Sequence, residues 1–124
     1  MKFAMWMVLV LVAGACCSFD NFQKCTPTQQ VDLLAGDQRG VQAAIDAKWE
    51  TFNAQYETTW APNVVKWHAI LDALAKDQKL GQAARELRLE VTEIETDPDE
   101  RKTSYARLQS RLDALKQAAA SAGS

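Results

Sequence analysis

The chain has one histidine, three prolines and five glycines in 124 residues, and no Asn-Gly or Asp-Gly pair. Without such pairs there is no two-residue hairpin signal, and no strand-like alternation stands between turns, so the balance favours helices over a β-fold. Few prolines and glycines leave long stretches free to be helical. A single histidine, His68, makes no catalytic triad and no zinc site. Glycine-rich phosphate loops, nucleophile elbows and paired-carboxylate motifs are also missing. An enzyme is not expected, and no residue calls for a cofactor or metal. Charge of one sign is absent too: 14 Lys and Arg stand against 16 Asp and Glu, which argues against nucleic acid as a partner.

One long hydrophobic run is present, at the start. Lys2 precedes ten apolar residues, Phe3 to Val12, and Ala13-Gly14-Ala15 ends at Cys16. A charged start, a short apolar core and small residues before a cut describe an export signal, residues 1–15. From Phe3 to Cys17 the run is 15 residues, short of the about 20 a spanning helix needs. A cysteine in the first mature position is what bacterial lipoprotein processing acylates, so Cys16 is the expected lipidation site. The same Ala13-Gly14-Ala15 also suits ordinary signal peptidase, which would release a soluble protein. With Cys16 acylated, Cys17 and Cys25 remain, able to close a small loop in an oxidising compartment or to stay free.

Residues 16–40 read as a lipidated N-terminus and polar tether. Thr26-Pro27 caps at most a short turn reaching Leu34, with Gly36 and Gly40 as loop. Residues 41–119 read as an all-α domain, a small antiparallel bundle of three to four helices. The first helix, from Gly40 to Trp60, presents Val41, Ile45, Trp49, Phe52, Tyr56 and Trp60 on one stripe. Pro62 ends it, with Ala61 as hinge. The next carries Val64, Trp67, Leu71 and Leu74. A second seam, Leu80, Ala84, Leu87, Val91 and Ile94, alternates steps of four and three as a coiled-coil face does. One continuous helix over residues 62–95 is the expectation, with a phase slip near Gly81. Asp97-Pro98-Asp99-Glu100 is a helix start signal with Asp97 as N-cap. The last helix buries Tyr105, Leu108, Leu112, Leu115 and Ala119, and residues 120–124 should fray as a flexible tail.

Trp49, Phe52, Tyr56, Trp60 and Trp67 crowd both sides of the Pro62 elbow. They are either core or the lining of an aromatic groove for a ligand. Glu90, Glu93, Glu95, Asp97, Asp99 and Glu100 form an acidic run better suited to capping than to calcium. Arg101, Lys102, Arg107, Arg111 and Lys116 give the last helix a basic, solvated aspect.

Trp49 with Gln55-Tyr56, then Pro62-Asn63-Val64-Val65, resembles the LemA family, whose members carry W-x5-Q-Y followed by P-N-L-V at the next helix. Tyr105, Leu108 and Gln109 are similar to its later aromatic-x-x-L-Q segment. Between Tyr56 and Pro62 this chain is shorter than the family, and Glu57-Thr58-Thr59 replaces a basic stretch. The resemblance implies a membrane-anchored, extended helical bundle and supplies no catalytic residues.

Three functions fit these features. The first is a non-catalytic cell-envelope lipoprotein facing the periplasm or cell exterior, held on a membrane by its lipid and engaging an envelope protein partner. The second is a membrane-tethered lysis or entry-exclusion protein encoded by a phage or plasmid. The third is a secreted helical binding protein using the aromatic groove.

Overall fold

In a computed structural model, residues 17–123 are described, and all their regular structure is helical. The segment expected to direct export, residues 1–15, and the expected lipidation site Cys16 lie outside these residues, as does Ser124. The helices are α1 (Pro27–Ala47), α2 (Trp49–Ala54), α3 (Ala61–Leu74), α4 (Gly81–Thr96) and α5 (Arg101–Gly123); a π-helical turn, Tyr56–Trp60, joins α2 to α3 and a 3-10 turn, Pro98–Glu100, joins α4 to α5.

The expected tether is part of the fold. Thr26 opens α1 with a reciprocal capping box: its Oγ1 accepts from the Gln29 N–H at 3.2 Å, and its own N–H donates to Gln29 Oε1 at 2.9 Å. Pro27 follows in the first turn, where a missing N–H costs nothing. The helix then buries Gln30, Val31, Leu34, Ala35, Gln38 and Val41, one face at helical spacing, mainly against α5. Gly36 and Gly40 therefore sit inside a helix, not in a loop, and neither has positive φ. A Cβ at Gly40 meets nothing within 4 Å, and one at Gly36 meets only the Arg39 guanidinium at 3.6 Å. Gly40→Ala should stabilise the domain by about 0.5–1 kcal/mol in denaturant unfolding, because glycine there only adds freedom to the unfolded chain.

Upstream of α1, a 3-10 segment, Phe19–Lys24, lies along α3. Three ties hold it. Cys17 and Cys25 are disulfide-bonded with Cα atoms 5.2 Å apart. Lys66 Nζ lies 2.8 Å from Asp20 Oδ1. Gln30 Nε2 donates to the Phe22 carbonyl at 3.0 Å, and Phe19 and Phe22 pack on the core.

The helix expected from Gly40 to Trp60 is broken at Lys48, whose φ of −169° and ψ of 114° are extended. Between α2 and α3 the chain takes the π turn, so Ala61 is already helical (φ −57°, ψ −39°) and begins α3 instead of hinging before Pro62.

The continuous helix expected over residues 62–95 is two helices. Asp77 explains the break: its Oδ1 accepts the N–H groups of Lys79 at 2.8 Å and Leu80 at 3.1 Å, closing a turn that competes with the helix. The Asp77 carbonyl accepts from Gly81 N–H at 2.9 Å. A Cβ on Gly81 would lie 2.7 Å from the Ala75 carbonyl oxygen, so this glycine is required by close backbone approach. Gly81→Ala should destabilise by about 1–3 kcal/mol, opposite in sign to Gly40→Ala in the same assay.

Asp97 caps the following turn as the sequence indicates, its Oδ1 accepting from Glu100 N–H at 3.4 Å. Helix α5 then continues to Gly123; Ala119 is buried and Ala122 packs on the core, so residues 120–123 are helical and not a loose tail. Arg88 pairs with Asp72, while Arg107 and Arg111 reach Glu90 and Glu86. Across the last two helices the higher-numbered arginine meets the lower-numbered glutamate, so α4 and α5 run antiparallel. The buried apolar side chains form one core from Val31 to Ala119.

Candidate functional site

The structure separates the five aromatic residues expected to line a groove. Phe52, Tyr56 and Trp67 are buried core, whereas Trp49 and Trp60 are half-buried at the elbow. Phe52 is the hub, with ring centroids 5.5 Å from Trp49, 5.1 Å from Trp60 and 5.3 Å from Tyr105, the last edge-on at 82°. Trp67 is committed elsewhere. Its indole N–H donates to Asp37 Oδ2 at 2.7 Å, and Asn63 Nδ2 donates to Asp37 Oδ1 at 3.1 Å, tying α1 to α3.

Arg101 does not belong to a solvated basic face. It is 5 % exposed, donates from Nε to the Ile94 carbonyl at 3.1 Å and from Nη1 to Asn53 Oδ1 at 2.8 Å, and lies over the Tyr56 ring at 3.7 Å. Arg107 and Arg111, by contrast, are exposed as the basic face requires, and pair across the surface with α4: Arg107 reaches Glu90 at 3.0 Å and Glu93 at 3.1 Å. The acidic run is thereby divided among partners, with Glu95 paired to His68 and Asp97 capping. Among the described residues, no group of three His, Cys, Asp or Glu side chains is placed to hold a metal ion.

Trp60 stands between two spaces. Inward is a cavity of about 10 Å³ lined by Asp37, Gln38, Trp60, Tyr105 and apolar side chains. Outward is a surface pocket of about 220 Å³ between α1 and α2, bounded by Ala44, Lys48, Thr51, Phe52, Gln55 and Trp60. Gln38, 2 % exposed, has neither amide atom bonded to the protein; the Trp60 indole N–H and the Tyr56 and Tyr105 hydroxyls are buried and equally unpartnered. Such clusters are rare, since buried polar groups nearly always find partners. Sequence periodicity could place Gln38 on the inner face of α1 only once α1 itself was recognised. Tyr105 was legible as core, but not as the bearer of an unpaired hydroxyl.

Burial pushes the Tyr56 hydroxyl up to about 12, with Arg101 pulling the other way. Burial raises Tyr105 further, and the neighbouring Tyr56 adds to it. Unfolded tyrosines ionise at about 10, so above that pH the unfolded chain binds fewer protons than the folded one. Stability is therefore full below pH of about 10 and falls as pH rises through the folded values, by up to about 1.4 kcal/mol per pH unit for each tyrosine. Thermal melts from pH 8 upward should show this loss. Tyr56→Phe and Tyr105→Phe should each flatten it, and an unchanged profile in both would exclude these hydroxyls as its source.

Against known proteins, the chain matches no family model, no curated protein and no solved structure.

Proposed function

We propose that this chain is a small bacterial cell-envelope lipoprotein, a non-catalytic interaction module held on a membrane through lipid on Cys16. The observation that carries the reading is the charged, apolar and small-residue series ending at Cys16. Among the described residues no helix is long and apolar enough to cross a membrane. The Cys17–Cys25 disulfide supports an oxidising compartment such as the periplasm. The long helices read as an antiparallel bundle, the architecture that the elbow motif shared with the LemA family also implies. Titratable side chains engaged in caps and ion pairs support a binding role over a catalytic one. Labelled palmitate should enter the protein and be lost in Cys16→Ser; equal labelling of the variant would refute the anchor.

A secreted binding protein using the elbow is the second reading, supported by the pocket beside half-buried Trp60. The two readings differ in the anchor and share the pocket.

A further inference from the structure

We infer that Trp60 gates a binding site for a small, uncharged, planar carboxamide, whose amide is read by Gln38 and Tyr105. The inference rests on the binding-module reading and not on the lipid anchor.

The inner cavity, at about 10 Å³, admits no organic molecule while Trp60 is in place. Trp60 is the wall it shares with the outer pocket of about 220 Å³. Nothing polar fastens that wall: the indole N–H has no partner, and among ring contacts Trp60 meets Phe52 at 5.1 Å. Its backbone lies in the π turn, a geometry concentrated at functional sites. Swinging the indole outward breaks no protein hydrogen bond and joins the two spaces into one. The volume it leaves is that of a flat bicyclic ring.

The chemistry of the opened site follows from its unpaired groups. Gln38 offers an N–H donor and a carbonyl acceptor side by side, which another carboxamide matches with two reciprocal hydrogen bonds. The Tyr105 hydroxyl adds a rotatable donor or acceptor in the same wall. Apolar side chains supply the remainder, suiting an aromatic ring. The Asp37 carboxylate is also in the wall, so an anionic ligand is repelled, and both its oxygens already accept from Asn63 and Trp67, leaving little to hold a cation. A neutral ring bearing an amide is what remains.

The test uses the full-length protein in detergent, with benzamide as probe and toluene as the same ring without the amide. Tryptophan indole N–H resonances are followed by NMR, the Trp60 signal being assigned by its loss in Trp60→Phe. Benzamide should move that signal saturably, and toluene should bind about tenfold or more weakly, because a site built for hydrogen bonds rejects an analogue lacking them. Gln38→Leu should weaken benzamide about tenfold or more while its melting temperature equals or exceeds that of the parent. Should Gln38→Leu not fold, Tyr105→Phe decides by the same comparison. Absence of saturation, equal binding of toluene, or undiminished benzamide binding in the folded variant overturns the inference. Palmitate labelling stays independent of every one of these results.

Discussion

Leu34→Ala is expected to lower the unfolding free energy by about 3 kcal/mol. Leu34 is fully buried on the inner face of α1, within the single core that also holds Val31 and Val41. Truncating such a leucine removes its transfer free energy and leaves a cavity that neighbours refill only partly, a loss of about 2–5 kcal/mol. In a domain of this size each kcal/mol moves the melting temperature by about 4–8 °C. The loss should thus be plain in either a thermal or a urea transition. The substitution also discriminates between two architectures. Were residues 27–40 a tether, Leu34→Ala would change stability by less than about 0.5 kcal/mol. A result that small would remove α1 from the core.

Arg101→Ala should cost about 3–5 kcal/mol, an effect large for a residue that sequence placed on a solvated face. Its guanidinium joins three elements: the Ile94 carbonyl near the end of α4, Asn53 of α2 and the Tyr56 ring of the π turn. The last carbonyls of a helix lack intrahelical partners and form the negative end of its dipole, so a buried cation there serves both needs. Alanine leaves the Ile94 and Asn53 oxygens without this donor, strips Tyr56 of its cation and opens space. Arg101→Met keeps most of the volume without the charge and should recover only the packing share of the loss. Arg101→Lys should rescue poorly, because an ammonium cannot reproduce the fork that reaches two acceptors while lying flat on a ring. A loss below about 1 kcal/mol for Arg101→Ala in urea unfolding would show the guanidinium to be incidental to the elbow.

Much of the second half was legible from side-chain period alone. Leu80 to Ile94 and Tyr105 to Ala119 are buried at the positions their spacing indicates, and Asp97 caps where its motif indicates. In both seams apolar residues recur without interruption and the breakers stand at the ends, so local preference and packing agree. The N-terminal half misled for a different reason. Gly36 and Gly40 lower helix propensity by only about 1 kcal/mol each, which a face burying Val31, Leu34 and Val41 outweighs. The capping box at Thr26 and Gln29 was the stronger signal and was there to be read. Asp77 was missed because one aspartate can end a helix by taking two backbone N–H groups, with no cluster of turn residues to announce it. Of the candidate site, the aromatic residues at the elbow were visible and the polar ones were not. Periodicity marks which positions face inward; it carries no information on whether an inward amide, hydroxyl or guanidinium finds a partner there.

Cys17, whose sulfur is locked to Cys25 against the folded domain, directly follows the cysteine proposed to be acylated. On a diacylated Cys16 that arrangement leaves no slack line between bilayer and protein. The domain would sit on the headgroups like a bollard, not float above them on a leash, and its outreach would be its own height. Helix α5, with 23 residues, is about 35 Å long, which is the outreach expected of a domain standing upright on that helix. Any partner would have to approach within that distance of the lipid surface, which favours neighbours embedded in the same membrane over those spanning the gap from the opposite one.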